Sequence, residues 1–431
     1  MKFRKNIQTV IFLLLIGILL ISPAVYWLSR NGQWTLDSIL EDRELTVFPQ
    51  VSARDFKTAL KRIYQGLYPE AGEIFFNQFL DTSFQRRVNK AAAEQMLARI
   101  PLVELSKVFE RLTIRSAYLA LPDQALPASF DSGLFVARDG SCLMQEVVNF
   151  TEVEKAAVDA RIANYEELLE KHPDIHFYVF NIETLPYSAF HPMAAYFPQS
   201  DSGRSLAYFL ENKPADLPFV NFSLSDFQDY REKFFRTDQH WNIRASLEAY
   251  RQLYAMFKEQ YPDISPMLQP KYIRQVEGLE FYGSLARKSL YPVPPDILEY
   301  TSVGKLDYQT FVDGIETKYG GRDKYLSGAY NQSDKYENHY RGFYGVQKVL
   351  IQYHFNNDSQ RNLLMITSSY SRTIQLYLAA HFHDTYIIDL RFEEDREKSL
   401  QDFIDEYQIT DVLVLGQPSV TYSSAEDAIK P

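Results

Sequence analysis

The C-terminal third of the chain alternates continuous apolar runs with amphipathic segments. LLMI (363–366), TYIIDL (385–390) and DVLVLG (411–416) are short and have continuous apolar stretches, as strands buried on both faces do. The segments between them carry apolar residues at helical spacing, namely Ile374, Leu378 and Phe382 in the first and Leu400, Phe403, Ile404 and Tyr407 in the second. Strands joined by single helices predict a parallel sheet covered by helices on both faces.

The same alternation begins upstream, near residue 111. Thr151 and Glu154 have the spacing of a capping box, and His172-Pro173 ends the helix that it predicts. Further elements follow the same rules: strands at IHFYVFNI (175–182) and FVNFS (219–223), and a long helix over 243–261. We therefore predict an α/β fold with a doubly wound, mostly parallel sheet over 111–431, preceded by a helical stalk or lid over 31–110.

The N-terminus predicts a membrane anchor over residues 1–30. Lys2, Arg4 and Lys5 precede an apolar run, Val10–Leu28, which as a helix rises about 28 Å and so matches a bilayer's hydrocarbon core. Basic residues before the span place the N-terminus inside and the bulk of the chain outside a bacterial cytoplasmic membrane, as a single-pass protein. The small residues around Ser22-Pro23-Ala24 leave a cleaved signal peptide open, and either interpretation exports the rest.

Composition excludes several classes of function. The formal net charge is −11 and no basic tract exists, so a nucleic-acid partner is not predicted. Cys142 is the single cysteine, which rules out an intrachain disulfide and a multi-cysteine metal site. The eight histidines show no HExxH spacing. We predict neither a metal nor another cofactor.

Two polar groups follow predicted strands and are candidates for chemistry. Ser368 and Ser369 follow the strand 363–366, and Asp389 lies near the end of the next one; ligand sites gather at such carboxyl ends in α/β sheets. A serine hydroxyl at a helix N-terminus lies near free N–H groups that can stabilise an oxyanion. The same position suits an ordinary capping serine, and no GxSxG elbow is present, so both interpretations remain open.

The segment FFRTDQHWN (234–242) supplies what a serine nucleophile needs. His240 can act as a base and Asp238 can orient its ring, both from one loop that enters a helix. The alternative is that Asp238 caps the helix over 243–261 and His240 lies on the surface.

DQHWN in the context FFRTDQHWNIRASLEAY resembles the DHHW-type proteins and, more distantly, the alginate O-acetyltransferase group. These are SGNH-hydrolase-like proteins in which an Asp-x-His-Trp motif precedes the serine motif. Further similar blocks occur in the same order along nearly the whole chain: LEDRELTVFPQVS (40–52), FFNQFLDTSFQRR (75–87), GLFVARDGSCL (133–143), FYGSLARKSL (281–290), LLMITSSYS (363–371), TYIIDLR (385–391) and DVLVL (411–415).

The resemblance implies a role for each matching residue. Ser369 becomes the nucleophile, His240 its base and Asp238 the orienting carboxylate. Ser368 falls at a variable position before the nucleophile, and Ser371 keeps the capping role. Further implied roles are a pocket-wall or packing residue at Trp241, an oxyanion side lined by Gly283 and Ser284 with the Ser369 N–H as the other donor, and either a substrate contact or a structural ion pair at Arg391.

The chain also departs from the family pattern. Gln239 replaces the first His of the DHHW motif, a position that an Asp-x-His pair does not require. The segment 319–345, within a Tyr-rich insertion around 300–345, does not match the Asn-containing stretch expected in relatives, and this departure favours a non-catalytic role. Its tyrosines suit a sugar-binding surface or a protein interface, or they fold back onto the domain: Tyr319, Tyr325, Tyr330, Tyr336, Tyr340 and Tyr344.

The resemblance and the anchor together predict an extracytoplasmic O-acetyltransferase that acts on a cell-surface polysaccharide. A membrane-bound O-acyltransferase partner is implied by the relatives alone. Two alternatives remain: a non-catalytic polysaccharide-binding or assembly component of an export-acetylation machinery, and a carbohydrate acetyl esterase.

Overall fold

The structure is a computed structural model that describes residues 53–66, 99–118, 126–127, 133–137, 139–194, 201–317, 337–345, 350–391, 397–424 and 428–431. It divides into two compact units, Met1–Phe109 and Glu110–Pro431. The anchor predicted over 1–30 lies outside the described residues. Within the described ranges, no helix combines the length and the apolar character needed to cross a membrane.

Eleven α-helices and thirteen strands are named among the described residues, with short 3-10 helices at Leu185–Tyr187 and Ser369–Thr373. The helices are α1 Ala53–Tyr64, α2 Arg99–Tyr118, α3 Glu152–Lys171, α4 Arg204–Asn212, α5 Phe227–Lys233, α6 Ile243–Gln260, α7 Ser284–Ser289, α8 His339–Tyr344, α9 Gln375–Ala379, α10 Leu400–Tyr407 and α11 Pro418–Thr421. The strands are β1 Leu126–Pro127, β2 Leu134–Val136, β3 Leu143–Gln145, β4 His176–Ile182, β5 Phe219–Phe222, β6 Tyr272–Gln275, β7 Glu299–Ser302, β8 Tyr308–Val312, β9 Ile315–Glu316, β10 Leu350–Phe355, β11 Asn362–Thr367, β12 Asp384–Ile388 and β13 Asp411–Gly416.

The central sheet has eight strands in the order β5-β4-β13-β11-β12-β10-β8-β9. The first five strands pair in parallel, whereas β12 with β10, β10 with β8 and β8 with β9 pair antiparallel. The predicted α/β fold with a large sheet is confirmed, and the five parallel strands are those predicted from apolar runs. The antiparallel strands went unpredicted because they are half-buried: along β10, buried positions alternate with partly exposed ones.

Both faces of the parallel part are buried. In β11, Leu363 and Met365 belong to one core cluster, and Leu364 and Ile366 to the other. Helices α6 and α9 contribute side chains to the first cluster, and α3 and α10 to the second. Burial on two faces is the reason that these strands read as unbroken apolar runs.

Helix starts follow the local chemistry of the chain. The capping box predicted at Thr151 and Glu154 is present, with both reciprocal hydrogen bonds. Helix α6 begins after Asn242, whose side chain accepts from the N–H groups of Arg244 and Ala245. Asp238 is therefore not the cap of this helix, and its carboxylate is available for another contact.

Candidate active site

The two motif segments meet at the carboxyl end of β11. Ser369 opens the 3-10 helix that follows this strand, and His240 lies in the loop between α5 and α6. The His240 Nε2 atom is 2.7 Å from the Ser369 Oγ atom, and His240 Nδ1 is 2.5 Å from Asp238 Oδ1. The imidazole thus bridges a serine hydroxyl and a carboxylate that are more than a hundred residues apart in sequence.

The Asp238 carboxylate is buried and fully hydrogen-bonded. Its Oδ1 also accepts from the His240 backbone N–H at 3.1 Å, and its Oδ2 accepts from the Ser284 N–H at 2.6 Å. Burial raises the pKa of this carboxyl, but the charge and hydrogen bond of His240, together with the backbone donors, outweigh it and hold the pKa below its ordinary value. An ionised carboxylate can only accept, so the Nδ1 atom carries a proton; when the ring is neutral, Nε2 is then the atom that can accept from the Ser369 hydroxyl.

Gly283 and Ser284 hold the Asp-x-His loop rather than line an oxyanion site. The Gly283 N–H donates to Thr237 Oγ1 at 2.9 Å, and the Ser284 N–H is already occupied by Asp238. Both backbone N–H groups therefore already have acceptors, and the prediction that they donate to an oxyanion is wrong. A Cβ at position 283 would lie 2.2 Å from the Asp238 Cβ atom, so the glycine permits the close approach.

Further contacts join the two motif segments. Trp241 Nε1 donates to the Tyr370 carbonyl at 3.0 Å, and the Tyr370 hydroxyl donates to the Gln239 carbonyl at 2.7 Å. Trp241 is fully buried and packs edge-on against Phe222, which corresponds to the packing alternative for this residue. Sequence reasoning missed Tyr370, although it directly follows the serine.

A tyrosine covers the imidazole. The ring of Tyr340, in α8, stacks on His240 with centroids 4.0 Å apart and planes inclined by 10°, and its hydroxyl donates to the Ser369 carbonyl at 3.2 Å. Burial raises the pKa of Tyr340 well above its ordinary value, so the phenol stays neutral. Of the six tyrosines noted in the insertion, Tyr340 and Tyr344 fold back onto the domain, and the other four lie outside the described residues.

A second buried carboxyl, that of Asp296, is hydrogen-bonded to the loop that carries Asp238 and His240. Asp296 accepts from the backbone N–H groups of Arg236 and Thr237 at 2.9 and 2.8 Å, and from Thr237 Oγ1 at 2.5 Å. Burial raises the pKa of Asp296 to about 6, despite these hydrogen bonds. Sequence reasoning missed it; the available signal was a lone aspartate between apolar residues in VPPDIL (293–298).

The neighbouring serines have structural partners. Ser368 is the N-cap residue of the 3-10 helix, although its side chain makes no capping bond to a described residue; it donates to Gln417 Oε1 at 2.8 Å. Ser371 lies inside the helix and donates to the Ser368 carbonyl at 3.2 Å. The capping role expected of Ser371 is therefore wrong.

Arg391 forms a bidentate ion pair with Asp389 at the end of β12. The Nε–Oδ1 and Nη2–Oδ2 distances are 2.8 and 2.5 Å. Of the two roles predicted for Arg391, a substrate contact or a structural ion pair, this geometry corresponds to the ion pair. The same contact gives the Asp389 carboxylate a partner.

One cluster of possible metal ligands occurs within the described ranges. Ligand atoms of His354, His383 and Asp384 lie within 4.8 Å of one another. Gln352 already donates to Asp384 Oδ1 at 2.7 Å. Because Asp384 begins β12 and Ser369 follows the end of the parallel neighbour β11, this cluster lies at the opposite end of the sheet from Ser369.

Comparisons with known proteins find relatives in structure only. No protein-family profile matches the sequence, and no curated protein does. Among solved structures, a DHHW family protein from Eubacterium siraeum superposes with a TM-score of 0.52 and 19% identity, over 69% of this chain and 94% of that one. PatB1 of Bacillus cereus with a sulfonyl adduct gives 0.51 and 16%, over 69% and 97%, and PatB1 without it gives 0.50 and 18%, over 68% and 99%.

The resemblance inferred from short sequence blocks is thereby confirmed at the level of the fold. Because the identities are below 20%, the likeness concerns backbone architecture, while the chemistry of this chain depends on its own residues. The chain has the backbone fold of the DHHW family protein and of PatB1.

Proposed function

We propose that this protein is a serine-dependent O-acetyltransferase that acts on a cell-surface polysaccharide outside the cytoplasmic membrane. The observation that carries the proposal is the bridge formed by His240, whose Nε2 is 2.7 Å from Ser369 Oγ while its Nδ1 contacts the Asp238 carboxylate. A serine hydroxyl is a weak nucleophile unless an oriented base takes its proton, and this arrangement provides both the base and its orienter.

In the first half of the reaction, the Ser369 hydroxyl passes its proton to His240 Nε2 as Oγ attacks the carbonyl carbon of an acetyl ester. The ester C–O bond breaks, the donor alcohol leaves with the proton from Nε2, and an acetyl-serine remains. Asp238 stays ionised and stabilises the transient imidazolium. The backbone N–H of Ser369, at the start of the 3-10 helix, is the proposed donor to the oxyanion.

In the second half, a sugar hydroxyl replaces the donor alcohol. His240 takes its proton, the sugar oxygen attacks the acetyl carbon, and the bond to Ser369 Oγ breaks as the proton returns to the serine. Water in place of the sugar would release acetate and make the protein an esterase. Transfer is favoured by the family resemblance and by the predicted anchor, which suits work beside a membrane-bound O-acyltransferase that supplies acetyl groups.

The location of the protein is part of the proposal. Lys2, Arg4 and Lys5 before Val10–Leu28 support a single-pass anchor with the bulk of the chain outside. The chain should stay in membranes washed with alkaline carbonate, and protease added to intact spheroplasts should digest it. Release by the wash, or protection from protease, would contradict this placement.

The catalytic assignment is tested with the full chain and two serine variants. Wild type, Ser369→Ala and Ser371→Ala are incubated with 4-nitrophenyl acetate and cellotetraose, and nitrophenol, acetate and O-acetylated sugar are measured. A serine-directed sulfonyl fluoride is added separately, and the labelled peptide is identified by mass spectrometry. Ser371 is the matched control because it lies in the same buried turn and bonds a backbone carbonyl.

We expect Ser369→Ala to lose at least about a thousandfold in rate and all labelling, while Ser371→Ala keeps both. Acetylated sugar supports transfer, and acetate alone supports the esterase alternative. If wild type and Ser369→Ala are equally inert and unlabelled, the catalytic proposal fails and the non-catalytic polysaccharide-binding alternative takes its place.

A further inference from the structure

A cleft of about 220 Å³ opens beside the 3-10 helix that carries Ser369. Polar side chains from the end of this helix contribute to the lining, and aromatic rings from five other elements contribute most of the rest. The cleft presents five tyrosines: Tyr300, Tyr308, Tyr344, Tyr353 and Tyr377. Tyrosine rings combine a flat apolar face with a polar tip, so the lining offers stacking surfaces and hydrogen-bonding groups together.

Two polar atoms of the lining are buried and unsatisfied. Gln375 Oε1 and Thr373 Oγ1 have no hydrogen-bond partner among the described residues, although their residues are only 3% and 8% exposed. Both residues line the cleft. A buried polar atom without a partner costs free energy, and native proteins rarely leave one unless a ligand or water completes it.

Three tyrosine rings of the cleft are held in place by contacts with other residues. Tyr377 Oη donates to Thr301 Oγ1 at 2.8 Å, and Gln375 Nε2 donates to the Tyr353 hydroxyl at 3.0 Å. The Tyr308 ring stacks on Phe355 with centroids 5.2 Å apart, and about a third of Tyr308 remains exposed. The cleft is therefore a preformed surface.

The cleft adjoins the candidate nucleophile through two short elements. Thr373 ends the 3-10 helix that Ser369 begins, and such a helix rises about 2 Å per residue, which puts the two residues about 8 Å apart along its axis. Tyr344, on the other wall, is in the same helix as Tyr340, which covers His240. A ligand bound beside Thr373 thus lies within about 8 Å of Ser369 along the helix axis.

We propose that this cleft binds a sugar unit of the acceptor polysaccharide, next to the unit that is acetylated; the proposal rests on the proposed function. Gln375 Oε1 accepts a hydrogen bond from one hydroxyl of the sugar, and Thr373 Oγ1 forms a hydrogen bond with a second hydroxyl. The apolar face of the sugar lies against the partly exposed Tyr308 ring. An acyl chain has no donors for the Gln375 oxygen, whereas a sugar presents hydroxyls at its edge and C–H groups on its faces. The cleft sets which glycan reaches the acetyl-serine.

Binding is measured without turnover, in the full chain carrying Ser369→Ala. The probes are cellotetraose, chitotetraose and tetragalacturonate, which are neutral, N-acetylated and anionic, and titration calorimetry reports the dissociation constants. Thr373→Val removes the hydroxyl with little change of shape, and Tyr308→Leu removes the stacking face. Thr385→Val is the matched control, because Thr385 Oγ1 is also buried and unsatisfied within the described ranges but lies in β12, outside the cleft.

We expect at least one tetrasaccharide to bind, and Thr373→Val and Tyr308→Leu each to weaken that binding by about fivefold or more, while Thr385→Val leaves it unchanged. Absence of binding by all three probes at about 10 mM, or unchanged binding in both cleft variants, overturns the proposal. Since the serine is absent from these proteins, the result is independent of the acyl chemistry. Cleft-dependent binding without any acetyl transfer would leave the subsite standing and remove the catalytic function.

Discussion

The rings of His240 and Tyr340 lie face to face, with centroids 4.0 Å apart and planes only 10° from parallel. The imidazole is held at its edges by Ser369 and Asp238, and Tyr340 restrains it from the face. In the proposed reaction His240 delivers a proton first to the leaving alcohol and then back to the serine, and a ring that cannot turn favours both steps.

Replacing Tyr340 should separate the stacking from the hydrogen bond. Tyr340→Phe keeps the ring and loses only the hydroxyl bond to the Ser369 carbonyl, so stability should fall by about 1 kcal/mol and kcat/KM by less than about threefold. Tyr340→Leu frees the imidazole face and should lower kcat/KM by about tenfold or more. Rates with 4-nitrophenyl acetate and thermal unfolding check both.

The control for Tyr340→Leu is Tyr165→Leu. Tyr165 is also buried, donates its hydroxyl to a backbone carbonyl at 2.6 Å, and belongs to a different core cluster from Tyr340. It should lose stability without losing kcat/KM. Equal loss of activity in the two variants, at a temperature where both are folded, would show that Tyr340 acts only through packing.

Gly283→Ala should disable the site through a steric clash. The new methyl group would meet the Asp238 Cβ, Oδ2 and Cα atoms at 2.2, 2.5 and 2.7 Å, so the loop carrying Asp238 must move. A shift of about 1 Å in a catalytic group can cost about a hundredfold in rate, and we expect at least that loss.

Gly278→Ala controls for this glycine substitution. Gly278 has a φ of +74° and open space around its Cβ position, so alanine strains the backbone there by about 1 kcal/mol without touching the site. It should lower the melting temperature and leave kcat/KM intact. Full activity in Gly283→Ala would mean that the Asp238 position is not needed.

Asp238→Asn should disturb the tautomer of the base. The two Asp238 oxygens accept three hydrogen bonds, from His240 Nδ1, the His240 N–H and the Ser284 N–H. In the asparagine variant an NH₂ group replaces one of these oxygens. Because that group donates, at least one of the three donors then faces another donor. We expect kcat to fall by about a thousandfold to ten-thousandfold with a smaller change in KM. Asp411→Asn, a buried aspartate at the amino end of β13, should keep its activity; comparable losses in the two would refute the orienting role.

Asp296 should make stability depend on pH between about 4 and 6. Its pKa is raised from 3.8 when unfolded to about 6 when folded, so the folded state holds the proton more tightly in that interval. The contribution is therefore fully present below about pH 4 and is lost as pH rises through 6, by about 2–3 kcal/mol. Urea unfolding of wild type and Asp296→Asn across this range measures the difference.

A second carboxyl, that of Asp402, provides a control for the direction of this pH dependence. Asp402 is an exposed capping carboxyl whose pKa is lowered by hydrogen bonds from Ser399. The contribution of Asp402 to the free energy of unfolding should be present above about pH 4 and fade as pH falls. The pH dependence of stability that is lost in Asp402→Asn therefore has the opposite sign to the one lost in Asp296→Asn. A stability difference for Asp296→Asn that is flat from pH 4 to 6 would contradict the burial argument.

The elements that the sequence predicted are those whose burial imposes a strict pattern. The runs over 363–366, 385–390 and 411–416 lie in the middle of a sheet covered on both faces, so apolar side chains follow one another on both faces of each strand. Strand β10 has one open face, and its mixed residues gave no comparable signal. The capping box at Thr151 was predictable because its bonds span only three residues.

The same distinction between local pattern and tertiary packing applies to the candidate site. The sequence by itself determined which residue types stand at Asp238, His240 and Ser369, and the order of the blocks that carry them. Only the tertiary structure decided that His240 reaches Ser369, that Asn242 rather than Asp238 caps α6, and that Tyr340 and Asp296 support the loop. Apart from the local cap at Asn242, these contacts join segments far apart in sequence, and their geometry follows from how the sheet and its loops pack together, which no local pattern of residues records.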